Sequence, residues 1–279
     1  MRIVATAVTA SDCLARGLAF PLRYRLLAQL VLGFKAPRRP VLGMVHAGEI
    51  DAVGRNVTSF RPGDQVFGLS QWKAGCYAEY VCCSARGLIA ARPANLSFGE
   101  AAALPYGGLL AMALLRKVPI HAGQRVLVYG ASGAIGTAMV QLAKHFGAHA
   151  TGVCSTRNLA LVESLGADAV VDYTRDDFTT RDERYDVIFD AVGKRKSAKA
   201  LLSAGNALNP GGKSISIDDI RPWLRPEDLL LLKRLAESGE LKPVIDRSYP
   251  LEEIVAAHRY VEEGHKRGNV IVNVAHAVG

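Results

Sequence analysis

Short apolar runs separated by turn residues occupy the first third of the chain, and this pattern predicts a compact β unit. Residues 41–92 contain the clearest examples, with a Pro-Gly turn at 62–63. The predicted strands are 44–53 (interrupted at Ala47-Gly48), 65–68 and 77–83.

A different rhythm, strand then helix, begins near residue 97. Ser97 and Glu100 form a capping-box pattern at a helix start. Strands are predicted at 125–129, 149–154, 169–172, 187–192 and 214–217, and helices at 135–146, 159–165, 197–208 and 222–239. This alternation predicts an α/β fold with a doubly wound parallel sheet. The last segment predicts a turn at Lys242-Pro243, a helix over 251–263 and a strand over 270–274.

The most apolar window, residues 26–34, is too short to span a bilayer, which needs about 20 residues. Basic residues lie on both sides of it. Two interpretations stay open for residues 18–39: a helical lid packed on its own domain, or an amphipathic element that makes weak contact with a membrane surface.

Composition is that of a globular protein, since 49% of the 279 residues are hydrophobic and 22% are charged. The net charge is +8, and residues 1–92 carry most of the excess, which suits a phosphate, an anionic membrane or nucleic acid. Five cysteines without a C-x-x-C spacing argue against a disulfide framework. With no convincing signal peptide, a cytoplasmic location is expected.

The strongest motif is a glycine-rich loop between a predicted buried strand and a predicted amphipathic helix. In that context G-x-x-G-x-x-G predicts a dinucleotide site, because glycines let a pyrophosphate approach the backbone and the helix start attracts its charge. The candidate cofactor-binding residues are Gly130, Ala131, Ser132, Gly133, Ala134, Ile135 and Gly136.

The end of the next strand distinguishes the two nicotinamide cofactors. NAD-binding proteins place a carboxylate there, about 20 residues after the motif. This chain has Ser155, Thr156 and Arg157 instead, and no acidic residue occurs before Glu163. Two hydroxyls and a guanidinium favour the 2′-phosphate of NADPH. The alternative is that Arg157 is only a solvated residue at a helix start.

Seven segments in order carry a family resemblance. They are 62–68 (PGDQVFG), 75–81 (GCYAEYV), 100–105 (EAAALP), 130–136 (GASGAIG), 164–173 (SLGADAVVDY), 185–193 (YDVIFDAVG) and 243–251 (PVIDRSYPL). Together they resemble the medium-chain dehydrogenase/reductase superfamily, in its zinc-free, quinone oxidoreductase-like branch.

The resemblance implies a GroES-like catalytic domain over 1–92 and 240–279, with a Rossmann dinucleotide-binding domain over 93–239. It also implies hydride transfer from NADPH to a quinone, enone or related carbonyl compound, in a homodimer. Family members usually have further strands ahead of the one at 2–8, so the GroES-like domain is expected to be N-terminally incomplete.

The same resemblance places individual residues. Thr9 and Met44 stand where zinc-dependent relatives have ligands, so no catalytic metal is expected. Thr9 could donate a hydrogen bond to the substrate carbonyl, and Asp12 could orient a water or the ribose. The alternative for both is strand-end capping.

Four further residues are expected near the cofactor. Tyr173 matches a family position beside the adenosine 2′-phosphate. Asp190, Val192 and Gly193 follow a strand at the carboxyl edge, where α/β proteins bind ligands.

A second function stays open beside the enzyme: a weakly active or inactive relative that binds NADPH and has a structural, lipid-contacting or RNA-contacting role. No specific nucleic-acid binding is expected.

Overall fold

The computed structural model describes residues 1–17, 40–70, 74–220 and 223–276. It contains two compact units, Met1–Pro105 with Ile245–Gly279, and Tyr106–Val244. The predicted lid or membrane element at 18–39 lies outside the described residues.

The strands, in chain order, are β1 Arg2–Val8, β2 Val45–Glu49, β3 Gln65–Leu69, β4 Leu88–Ala91, β5 Arg125–Tyr129, β6 His149–Cys154, β7 Ala169–Asp172, β8 Tyr185–Asp190, β9 Leu208–Ser216, β10 Ile245–Pro250 and β11 Asn269–Asn273. The described helices are α1 Ala10–Gly17, α2 Phe98–Ala103, α3 Pro105–Lys117, α4 Ala134–His145, α5 Leu159–Ser164, α6 Lys194–Ser203, α7 Pro226–Glu237 and α8 Ile254–Glu262.

The first unit is built on a six-stranded sheet in the order β10-β11-β1-β2-β3-β4. Neighbouring strands are antiparallel except β10 and β11, which are parallel. Helix α2 packs on β1, β2 and β11, and Ala101, Ala102 and Ala103 are buried. This packing is why the first unit extends to Pro105, beyond the boundary at residue 92 expected from sequence.

The predicted interruption of β2 at Ala47-Gly48 is wrong, because both residues lie inside the strand. The reason is the closeness of β1. A Cβ atom on Gly48 would lie 2.0 Å from the Arg2 carbonyl oxygen, so only glycine fits at this point of the pairing.

The strand predicted at 77–83 is not formed. The segment makes a single bridge, between Tyr80 and Arg2. Three hydrogen bonds join it to Met1 and Ile3: from the Ile3 N–H to the Glu79 oxygen at 2.8 Å, from the Val81 N–H to the Met1 oxygen at 3.0 Å, and from the Met1 amino group to the Val81 oxygen at 3.1 Å. β1 is already paired with β2 and β11, so little of its length is left for another strand.

The second unit contains the predicted parallel sheet, in the order β7-β6-β5-β8-β9. Numbered within this unit the order is 3-2-1-4-5, as in dinucleotide-binding sheets. The predicted strands 125–129, 149–154 and 169–172 are confirmed to the residue. Val126, Leu127 and Val128 of the central strand are fully buried, as expected where helices cover a parallel sheet.

Two predictions fail at the other edge of this sheet. The fourth strand ends at Asp190 rather than Val192, because the next residues turn around its carboxylate. The strand predicted at 214–217 begins earlier, at Leu208, and its pairing steps from Tyr185↔Leu208 to Val187↔Lys213. The extra residues are absorbed as an irregularity in the strand.

The predicted helices are present, with boundaries that differ from the predicted ones by a few residues. The capping box of Ser97 and Glu100 is confirmed at the start of α2. α6 begins three residues earlier than predicted and ends at Ser203. α7 and α8 start later than predicted, at Pro226 and Ile254.

Among the described residues, one helical stretch, Phe98–Lys117, is long and apolar enough to cross a membrane. In its most apolar window 83% of the residues are buried inside the protein, as in a core helix.

Candidate functional site

The loop between β5 and α4 is tied to the neighbouring strand. The N–H groups of Gly130 and Ala131 both donate to the Val153 oxygen, each at 3.0 Å. A Cβ atom on Gly130 would lie 2.2 Å from the side chain of Val192, which belongs to the turn after β8. The loop is therefore fixed at the carboxyl edge of the sheet, against β6 and that turn.

Two glycines of this loop have different surroundings. A Cβ atom on Gly136 would lie 2.2 Å from the Gly130 oxygen, so the fold itself excludes a side chain. A Cβ atom on Gly133 would lie 3.5 Å from the Gly130 oxygen, an ordinary van der Waals distance. Gly133 is the N-cap of α4 and has no side chain to cap it, so first-turn N–H groups remain for a ligand. This open helix start fits a pyrophosphate.

The end of β6 exposes Thr156 and Arg157, and Ser155 is half-buried. The Thr156 hydroxyl donates to Asp172, at the end of β7. Asp172 also accepts from the Thr174 N–H at 3.0 Å and hydroxyl at 2.7 Å. The Thr156 hydrogen bond is the main cause that lowers the pKa of Asp172. The fold thus brings a carboxylate to this edge, but hydroxyl groups already bind it.

Tyr173 follows Asp172 and is 53% exposed. Its ring centroid lies 6.5 Å from that of Tyr129, the last residue of β5. This exposed aromatic surface lies at the carboxyl edge of the sheet, as the loop does.

Asn158 joins the loop to the end of β6. Its amide Nδ2 donates to the Ser132 Oγ at 3.0 Å and to the Ser155 Oγ at 3.2 Å. Its side-chain oxygen is buried and has no hydrogen-bond partner among the described residues. Sequence reasoning missed Asn158, since its position among helix-start residues gave no signal.

The carboxylate of Asp190 is fully buried and accepts four hydrogen bonds. Oδ1 accepts from the N–H groups of Val192 at 3.0 Å and Gly193 at 3.2 Å. Oδ2 accepts from the hydroxyls of Ser197 at 2.7 Å and Ser216 at 2.6 Å. The carboxylate is therefore turned into the protein, where it holds the turn that meets the glycine-rich loop.

In the first unit, Thr9 and Asp12 form a reciprocal cap at the start of α1. The N–H and hydroxyl of Thr9 donate to Asp12 Oδ2 at 2.9 and 2.6 Å, and the Asp12 N–H donates to the Thr9 Oγ at 3.2 Å. Both residues are buried. This is the capping arrangement that the sequence left open, and it directs the Thr9 hydroxyl proton to Asp12.

Burial raises the pKa of Asp12, and hydrogen bonding, first of all by Thr9, opposes that rise. The ring of Tyr77 meets His258 edge-on at 5.6 Å, and His258 Nδ1 lies 3.5 Å from the Cys13 sulfur. Burial raises the pKa of Cys13 to about 11, so the thiol is neutral near pH 7.

Two known protein families match separate parts of the chain. The family described as Alcohol dehydrogenase GroES-like domain matches residues 1–93, and that described as Zinc-binding dehydrogenase matches residues 165–272. The 2-methylene-furan-3-one reductase of Solanum lycopersicum is 36% identical over 261 residues, which cover 86% of this chain. The NADPH-dependent alkenal/one oxidoreductase, chloroplastic, of Arabidopsis thaliana is 33% identical over 263 residues, also 86% of this chain.

The chain belongs to the medium-chain dehydrogenase/reductase superfamily, in its quinone oxidoreductase-like branch. It spans 66% of the length of each of the two reductases. The solved quinone oxidoreductase from Coxiella burnetii has a TM-score of 0.81 at 26% identity, over 98% of this chain and 89% of that one. The predicted superfamily and fold class, a GroES-like domain with a Rossmann-like sheet, are confirmed.

Zinc-dependent members of the superfamily need side chains that bind the metal. Across the ranges that the structure describes, no group of three or more His, Cys, Asp or Glu residues could hold a metal ion. The independence of catalysis from metal stays a prediction.

Proposed function

We propose that this protein is an NADPH-dependent, zinc-independent reductase of α,β-unsaturated carbonyl compounds. The observation that carries the proposal is the open helix start at Gly133, beside a strand end that has Ser155 and Arg157 in place of a carboxylate. Two relatives support it through their names, a 2-methylene-furan-3-one reductase and an NADPH-dependent alkenal/one oxidoreductase.

In this proposal the residues of the second unit hold the cofactor. The first turn of α4 holds the pyrophosphate, and Ser155 and Arg157 bind the 2′-phosphate, with Tyr173 beside them. NADPH, when bound, supplies the hydride. The enone would gain that hydride at its β carbon and a proton from solvent at its α carbon, and its carbonyl would be retained. Asp190 and Asp12 act as positioning residues, since each binds chain segments rather than facing the solvent.

The proposal is tested by turnover with a panel of substrates. Purified protein is mixed with NADPH and an alkenal, a cyclic enone, a quinone or a saturated ketone, and NADPH consumption and products are measured. We expect consumption with the alkenal or enone, and a product with a saturated C–C bond and an intact carbonyl.

Other outcomes identify the alternatives. NADPH binding without turnover would favour the non-catalytic relative, and reduction of the saturated ketone alone would indicate a carbonyl reductase. Quinone reduction alone would keep the cofactor proposal and change the substrate class. The homodimer and the cytoplasmic location stay predictions.

The choice of cofactor gives a sharper prediction. A guanidinium pairs with a 2′-phosphate that NADH lacks, and hydrogen bonds to charged groups contribute about 1.5–3 kcal/mol. Arg157→Ala should therefore weaken NADPH binding by about 10- to 150-fold, near the lower value because Arg157 is exposed and screened by salt. NADH binding should change little. Dissociation constants for both cofactors, at low and high salt, measure this.

Arg55→Ala is the matched control, since it removes an exposed arginine of the first unit. It should leave both dissociation constants unchanged. Equal losses for NADPH and NADH in the Arg157 variant would show that this arginine does not recognise the 2′-phosphate.

A further inference from the structure

The two ends of the Asn158 side-chain amide have different surroundings. The side chain is 4% exposed, and Nδ2 contacts two serine oxygens, at 3.0 Å in Ser132 and at 3.2 Å in Ser155. An asparagine amide has two N–H bonds, so both are used. Within the part of the chain that the structure describes, the side-chain oxygen has no partner, although a buried unpaired acceptor is costly.

This arrangement fixes what the two serines can do. A hydroxyl that accepts from Nδ2 keeps its own single proton for another acceptor. Among the residues that the structure describes, neither serine hydroxyl has such an acceptor, and Ser155 makes no side-chain cap bond to its own helix start. Ser132 lies in the glycine-rich loop, and Ser155 at the end of β6. The hydroxyl protons of Ser132 and Ser155 are therefore available for donation, and they lie on the two segments that surround a dinucleotide.

We propose that Asn158 is a positioning residue that makes Ser132 and Ser155 hydrogen-bond donors toward cofactor phosphates, an inference that rests on the proposed function. Ser132 then serves the pyrophosphate and Ser155 the 2′-phosphate, and one amide couples the two subsites. The reversed amide would place its oxygen on the serines and take both protons away from the phosphates.

The test compares cofactor binding by variants of Asn158. In Asn158→Asp, a carboxylate of the same shape would accept from both serines and repel phosphate. We expect NADPH binding to weaken by about 100-fold and NADH binding by about 10-fold, since NADH lacks the 2′-phosphate. In Asn158→Leu the serines lose their orientation without added charge, and NADPH binding should weaken by about 10-fold.

A double-mutant cycle separates positioning from folding. In a protein that carries Ser132→Ala and Ser155→Ala, the additional change Asn158→Leu should have almost no further effect on NADPH binding. A purely structural asparagine would weaken binding by the same factor in both backgrounds, and that result would overturn the inference. Ser164→Ala, on an exposed serine of α5, is the control and should leave binding unchanged.

The readout is the dissociation constant, so a failure of turnover alone does not affect it. Wild-type protein that binds neither NADPH nor NADH would overturn both proposals. Wild-type binding that does not respond to Asn158 would overturn only this one. If Asn158→Asp does not fold, the leucine variant and the serine background still decide the question.

Discussion

Replacing Asp190 by Asn is expected to lower the free energy of unfolding of the second unit by about 3 kcal/mol or more. The carboxylate is 0% exposed and accepts four hydrogen bonds, two on each oxygen. Asparagine keeps the shape but removes the charge from all four hydrogen bonds and replaces one acceptor oxygen by an N–H₂ group, so the serine hydroxyls must turn from donors into acceptors. A hydrogen bond to a charged group contributes about 1.5–3 kcal/mol and a neutral one about 0.5–1.5 kcal/mol, so four weakened bonds together reach this loss. Denaturation in urea, followed by a signal from the second unit, measures the loss.

Ser216→Ala is the matched control, because it removes one of the four donors and leaves the carboxylate with the other three. It should cost about 1–2 kcal/mol, clearly less than Asp190→Asn. Equal losses in the two variants would contradict the assignment of Asp190 as the centre of this network. The asparagine variant should also bind NADPH more weakly, because the turn held by Asp190 contacts Gly130 through Val192.

The second large effect concerns pH and a buried histidine. His46 is 1% exposed, its Nδ1 lies 3.4 Å from the Ser70 Oγ, and its Nε2 has no hydrogen-bond partner in the described part of the chain. Burial lowers the pKa of His46 from 6.5 to about 4. The unfolded chain therefore binds a proton below pH 6.5, while the folded chain does not until about pH 4. His46 contributes full stability above pH 6.5 and loses it as the pH falls, by about 3 kcal/mol at pH 4.

The comparison with His46→Gln isolates this contribution. Unfolding free energies are measured for both proteins between pH 7 and pH 4. The variant should be less stable at pH 7 but should lose about 3 kcal/mol less than wild type over that range. Asp12 and His258 are present in both proteins, so their titration cancels in the difference. Parallel pH curves would show that folding does not change the pKa of His46, and this would contradict the prediction.

The parallel sheet could be predicted from sequence because its strands are buried on both faces. Continuous apolar runs such as Val126–Val128 are typical of that environment. β10 was missed because it is an edge strand whose central residues include Asp246, Arg247 and Ser248. The strand predicted at 77–83 has strand-like residues, but β1 already has partners on both sides. In both cases the error concerns the position of a strand in its sheet, and the local sequence pattern does not specify that position.

The candidate site divides in the same way. The glycine-rich loop and Ser155–Arg157 could be found because the spacing of residues along the chain carries their function. The direction in which a carboxylate points cannot be predicted from the spacing of residues along the chain. In the structure both Asp12 and Asp190 accept hydrogen bonds from their own chain. Asn158 acts between segments that lie 26 residues apart in sequence. Only the folded backbone brings such groups together.

β1 and β11 are far apart in sequence but are neighbours in one sheet, where β1 lies between β2 and β11. β11 is synthesised after the whole of the second unit, so β1 lacks one of its two neighbours until then. The unit Tyr106–Val244, in contrast, has all five of its strands before the C-terminal residues are made. Vectorial synthesis thus completes the dinucleotide unit first. A stop codon ahead of residue 245 would remove β10 and β11 and leave β1 as an exposed edge, prone to pairing with another chain.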